Sequence, residues 1–159
     1  RFHTVLDDDE ARARSGEIRR VILCSGKVYV DLAGSDRRAA ARDTAIVRVE
    51  QLYPAPMQNL RAVFETYAAA QDVVWMQEEP ENMGAWEFMR PLLEELIAER
   101  CPLRYVGRAR SASPSEGSLA WHQLNQRAII ERAFDLESQP TESPKVLSKP
   151  ARSLTGSKR

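Results

Sequence analysis

The chain has 159 residues, 43% of them hydrophobic and 29% charged, with a formal net charge of +0. That length suits one ordinary domain with its own core, and the balanced charge removes any global electrostatic case for nucleic acid or an acidic membrane. No apolar run approaches the roughly 20 residues that a bilayer span requires, and no secretory signal is visible at the N-terminus.

Residues 1–17 are polar, with Asp7-Asp8-Asp9-Glu10 followed by Arg12 and Arg14. They read as a connecting segment outside the core. Arg19-Arg20-Val21-Ile22-Leu23-Cys24 is a short apolar run ending at Ser25-Gly26, the pattern of a strand buried on both faces. Ser25 is placed to N-cap a helix carrying Val28, Tyr29, Leu32 and Ala33 on one stripe, which Gly34 and Ser35 end. Thr44–Val49 is the second strand, and Pro54 and Pro56 punctuate the turn after it. Leu60, Val63, Phe64, Tyr67 and Ala68 fall at helical spacing. Asp72–Gln77 is the third strand, closed by a turn at Pro80, Asn82 and Gly84. Trp86, Met89, Leu93, Leu96 and Ile97 mark another amphipathic helix, and Pro91 is expected to kink its first turns or delay its start. Leu103–Gly107 is the fourth strand, and Ser111-Ala112-Ser113-Pro114 is a loop. A last helix runs from about Gly117 to Phe134, with Ile129, Ile130, Ala133 and Phe134 on its buried side. Beyond Ser138 the chain turns basic and rich in Ser, Thr and Pro, without an apolar stripe.

Strands alternating with helices imply a Rossmann-like α/β fold, a mostly parallel sheet flanked by helices. The expected organisation is a connecting segment at 1–17, one domain at 18–136 and a disordered tail at 137–159. The chain starts at Arg1, not Met, which reads as a piece of something longer.

Sheets of this kind bind ligands at the carboxyl ends of their strands. Ser25-Gly26-Lys27 there could cradle a phosphate, but it lacks the GxxxxGK[ST] spacing and a tight strand-to-helix turn explains it as well. Glu78-Glu79 looks like an acid and base pair, yet adjacent strand residues point to opposite faces. They read better as structural carboxylates. His3 and His122, the only histidines, lie near no Ser or Cys nucleophile in sequence, which argues against a small hydrolase. They and the two cysteines, Cys24 and Cys101, have no metal-ligand spacing. Both cysteines read as reduced structural thiols, Cys24 buried. Arg104, Arg108 and Arg110 form a local basic cluster suited to phosphate or to interface salt bridges. No self-contained catalytic constellation emerges. Lys27, Arg104 and Arg108 remain phosphate or interface candidates, and a stand-alone CoA- or nucleotide-binding module is the alternative to a part of a larger machine.

Four strings carry a family resemblance: Val21-Ile22-Leu23-Cys24-Ser25-Gly26-Lys27-Val28-Tyr29; Ala45-Ile46-Val47-Arg48-Val49-Glu50-Gln51-Leu52-Tyr53-Pro54; Trp75-Met76-Gln77-Glu78-Glu79-Pro80-Glu81-Asn82-Met83-Gly84-Ala85-Trp86; and Leu103-Arg104-Tyr105-Val106-Gly107-Arg108, continuing to Ser111-Ala112-Ser113-Pro114. In this order and spacing, over about residues 1–136, the chain resembles the C-terminal domain of 2-oxoglutarate dehydrogenases. The resemblance implies a transketolase C-terminal-like fold and a parent homodimeric oxidoreductase of the tricarboxylic acid cycle. That parent decarboxylates 2-oxoglutarate on thiamine diphosphate and Mg²⁺ and passes succinyl to lipoyl groups of the dihydrolipoyl succinyltransferase component. Cofactor and catalytic histidines belong to preceding domains, so this chain alone is expected to bind neither and to be inactive. Its implied partners are those domains and a second copy, and its implied location is the bacterial cytoplasm or the mitochondrial matrix. In some relatives the domain also contributes to an acetyl-CoA activator site. Arg1, Thr4 and Gln51 match that site, but Gln58 and Asn59 stand where it has an arginine pair. Phosphate recognition leans on charge-assisted forks, so that loss weakens the match.

Overall fold

The structure, a computed structural model, describes residues 2–113 and 119–135. Arg1, Pro114 and the tail expected at 137–159 lie outside the described residues.

Four strands are parallel: β2 (Arg20–Cys24), β3 (Thr44–Val49), β4 (Asp72–Pro80) and β5 (Leu103–Arg108). A two-residue strand, β1 (Val5–Leu6), adds to the outside of β3 antiparallel. The sheet order is β1-β3-β2-β4-β5. β2 is the innermost strand, and all five of its residues are buried, as a run of apolar residues without alternation requires.

The pleat divides the core into two halves. Val21, Leu23, Val47, Val73 and Trp75 face α4 (Met57–Thr66) and α5 (Trp86–Ile97). Ile22, Cys24, Ile46, Val74, Met76 and Val106 face α2 (Val28–Ala33) and α6 (Leu119–Phe134). Trp86, Met89, Leu93, Leu96 and Ile97 are all buried, so the apolar stripe read from sequence is the packed face of α5. α5 starts at Trp86 despite Pro91. On α4, Leu60, Val63, Phe64 and Tyr67 are buried, but Ala68 lies past the helix end and is exposed.

Three local expectations are corrected. Ser25 does not cap α2: Gly26 turns the chain at φ +71°, and the helix begins only after Lys27. Gly34 ends α2, and Ser35 caps a further helix, α3 (Asp36–Ala40), its side chain accepting from the Arg37 N–H. The polar N-terminal stretch does take part in the core. It forms β1, α1 (Asp9–Arg12) and a 3₁₀ turn at Ser15–Glu17, and it buries Ala11 and Ile18 completely. Its acids act on the domain itself: Asp8 caps α1, and Asp7 accepts a hydrogen bond from the Tyr67 hydroxyl at 2.7 Å. Charge alone hid this, because the acids meet donors far along the chain.

Candidate functional site

Among the parallel strands, β2 has β3 on one side and β4 on the other, so the chain changes winding direction between β2 and β4. The crevice outside the carboxyl ends of those two strands is where such sheets bind ligands. Here the chain's own side chains bridge it. Gln126 on α6 donates from Nε2 to Asp31 Oδ2 at 2.9 Å and to Glu78 Oε2 at 3.2 Å. Lys27 Nζ donates to the same Asp31 oxygen at 2.7 Å. Arg108, at the end of β5, donates to the Glu78 carbonyl at 2.5 Å and to Gln126 Oε1 at 3.2 Å, and lies 3.1 Å from His122 Nδ1. The carboxylate of Asp31 holds the Lys27 pKa above its ordinary value, which fixes the ammonium charge at this rim. Lys27 and Arg108 are therefore brought to one place, as parts of a closed polar network tying the ends of β4 and β5 and the helices α2 and α6. A cleft of about 690 Å³ between α2, α3 and α6 opens beside the network, lined by Lys27, Asp31, His122 and Gln126.

Arg104 is not part of this group. It sits near the start of β5, and its Nε donates to Asp72 Oδ1 at 3.0 Å at the opposite end of the sheet. The other Asp72 oxygen takes a hydrogen bond from Arg20, which is fully buried and also donates to the carbonyls of Ala133 (2.8 Å) and Asp135 (2.6 Å). Arg110 pairs with Glu87 on α5. The basic cluster expected from sequence is thus dispersed: four residue steps separate Arg104 and Arg108 by about 13 Å along β5, and each meets a different acceptor.

Glu78 and Glu79 do point apart. Glu78 faces α6, while Glu79 is exposed and its carbonyl accepts from the Tyr105 hydroxyl at 3.0 Å. The string around them is a scaffold centred on Gln77, which is buried. Its Oε1 accepts from Trp75 Nε1 and from the Trp86 N–H, both at 3.0 Å, and its Nε2 donates to the Pro80 and Met83 carbonyls. Gly84 turns at φ +67° with the Gln77 amide 3.0 Å from where a Cβ would stand. Asn82 and the backbone of Ser111 exchange two hydrogen bonds of 2.9 Å, stapling this turn to the loop after β5. A Cβ on Gly107 would lie 2.1 Å from the Tyr105 hydroxyl. Gln77 and Gln126 were missed as working residues. Gln77 had a signal, its place in a dense motif. Gln126 had none, being one polar residue on a helix face.

The three activator-site matches fare differently. The Glu50 and Gln51 N–H groups donate to the Thr4 carbonyl at 2.9 and 3.2 Å, so Thr4 and Gln51 are neighbours across the β1–β3 junction. Gln51 Nε2 donates to the Pro54 carbonyl at 2.8 Å, Gln58 and Asn59 are exposed on α4, and Arg1 is outside the described residues. Beyond Gln51 the surface turns aromatic: Tyr53 is 83% exposed, its ring 6.3 Å from that of Phe88.

The family model described as "2-oxoglutarate dehydrogenase C-terminal" matches residues 1–134. The chain is 43% identical over 133 residues to a 2-oxoglutarate dehydrogenase E1 component of Cupriavidus necator, covering 84% of this chain and 14% of that protein. It is 42% identical to the E1 component of Haemophilus influenzae, covering 84% and 14%, and 38% identical to that of a Geobacillus species, covering 87% and 15%. The chain thus spans about one-seventh of the length of these curated relatives. A solved structure described as a split-gene transketolase, an inactive β4 tetramer, aligns with TM-score 0.49 and 18% identity, over 76% of this chain and 40% of that one.

Proposed function

The chain belongs to the 2-oxoglutarate dehydrogenase C-terminal family, and from that premise we propose that it is the C-terminal scaffold domain of a thiamine-diphosphate-dependent, succinyl-transferring 2-oxoglutarate dehydrogenase. The parent enzyme decarboxylates 2-oxoglutarate and passes the succinyl group to lipoyl groups of the succinyltransferase component, in the bacterial cytoplasm or the mitochondrial matrix. The domain's role is to lend surface to the preceding catalytic domains and to the homodimer.

The observation that carries this reading is the bridged crevice. The crevice where sheets of this kind take a ligand is spanned by Gln126, which satisfies Asp31 and Glu78 together. Thiamine diphosphate, where bound, would supply carbanion chemistry toward a 2-oxo group, and a Mg²⁺-diphosphate would need several oxygen ligands turned toward it. The described residues do not fit that group. Asp31 accepts from Lys27 and Gln126 and Glu78 accepts from Gln126, and among the described residues no three of His, Cys, Asp and Glu converge on one point. On this reading such a site belongs to the rest of the polypeptide. Acetyl-CoA control through Arg1, Thr4 and Gln51 is not part of this reading, since Gln58 and Asn59 bring no charge to a phosphate.

Co-expression of the chain with the preceding portion of the same enzyme tests the proposal. The two pieces should co-purify, and 2-oxoglutarate decarboxylation should fall at least tenfold when this domain is left out. Full activity without it would refute the scaffold role.

A further inference from the structure

The outer edge of β3 has the make-up of a strand that pairs readily. Thr44-Ala45-Ile46-Val47-Arg48-Val49 is β-branched and almost wholly buried. β2 covers one side along five residues, but β1 reaches only Arg48 and Val49 on the other. An apolar edge that meets a strand over only two residues is a template for another strand unless other groups cover the rest of it.

Side chains complete the edge where β1 stops. The Ile46 N–H donates to Asp8 Oδ2 at 3.0 Å. Arg38 Nη1 donates to the Thr44 carbonyl at 2.7 Å, and Arg38 Nη2 donates to that same Asp8 oxygen at 2.7 Å. The other Asp8 oxygen accepts from the Ala11 N–H at 3.0 Å, which fixes the carboxylate on α1. The two side chains are only 17% and 9% exposed. One acceptor and one donor, taken from α1 and α3, thus occupy the positions that a neighbouring strand's carbonyl and amide would fill.

We propose that the Asp8–Arg38 pair is an edge guard, and that removing it opens β3 to strand addition by the β3 edge of a second copy of this chain. A second copy is the fitting occupant because two such edges meeting across a two-fold axis present to each other the same apolar sequence and the same backbone groups, the Thr44 carbonyl and the Ile46 N–H, that the pair no longer satisfies. The device does not depend on the activity of the parent enzyme.

The test uses the full 159-residue chain with Asp8→Ala, Asp8→Asn and Arg38→Met variants. Amide exchange is followed in dilute solution by NMR, and association by sedimentation velocity over a concentration series. In Asp8→Ala the Ile46 amide should exchange about tenfold faster, the size expected for losing a hydrogen bond to a charged acceptor. The Val47 amide, which points toward β2, should be unchanged. Asp8→Asn keeps an acceptor and should keep Ile46 protected. Both Asp8→Ala and Arg38→Met should associate at concentrations where the unaltered chain does not. A folded Asp8→Ala with unchanged Ile46 exchange would overturn the proposal, as would absence of added association. Should Asp8→Ala fail to fold, Arg38→Met decides: association supports the guard, and its absence overturns it.

Discussion

Gln77 shows how much one buried amide can organise. It meets two donors and two acceptors drawn from β4, the following turn and the start of α5. Replacing it with Leu, of similar volume, leaves all four groups without that partner in an apolar setting. Each orphaned group costs about 1–3 kcal/mol, and some will find water. Gln77→Leu should lower the unfolding free energy by about 3 kcal/mol, measured by denaturant titration with tryptophan fluorescence. Cys24 gives a second test. Burial pushes its thiol up from 9.0 to about 12, and burial likewise raises the Tyr67 and Tyr105 hydroxyls above their ordinary range. The folded state holds these protons more tightly than the unfolded one. Stability from Cys24 is therefore fully present below pH 9 and is lost as pH rises from 9 toward 12. Denaturation midpoints should fall across that window, and less steeply in Cys24→Ala when each is compared with its own value at pH 8.

At the scale of elements, α6 is held to the sheet by three arginines, two reaching it from strands and one reaching back from the helix itself. Arg20 reaches the carbonyls of Ala133 and Asp135, Arg132 donates to the Gly107 carbonyl, and Arg108 meets the His122 and Gln126 side chains. Asp72 neutralises Arg20 where no water can. Removing one partner of a buried pair leaves the other charge stranded, at about 3–5 kcal/mol. Asp72→Asn should lower stability by that amount in thermal or denaturant unfolding, and adding Arg20→Met should recover part of the loss. An equal or greater loss in the double variant would show that the clasp on α6, not charge neutralisation, dominates. The strands and the apolar faces of α4 and α5 were legible because burial writes a period into the sequence. Thr44–Val49 is bounded as the pattern implied. β1, α1 and the true start of α2 were not legible, because they rest on Asp8 meeting Arg38 and Ile46, and on a left-handed Gly26, with no periodic trace. The working polar residues were hidden for the same reason. Lys27 and Arg108 stood out as cations at strand ends, whereas Gln126 joins them through Arg108, Asp31 and Glu78, contacts 18 to 95 residues apart in sequence.

At the scale of the whole molecule, the packing of helices on both faces of the sheet leaves an exposed aromatic ledge at Tyr53 and Phe88 and exposed Trp121 and Leu124 on α6. Apolar surface of this kind marks places where another body sits, which accords with a chain that spans about one-seventh of its relatives. The strand-end crevice that other doubly wound proteins use for ligands is bridged by protein side chains, which supports the proposed scaffold role. The most direct measurement is release of CO₂ from 2-oxoglutarate by the purified 159-residue chain, supplied with thiamine diphosphate and Mg²⁺, beside the same chain joined to the rest of its enzyme. Turnover is expected only from the joined form. Sustained turnover by the chain alone would contradict a scaffold without a reaction centre.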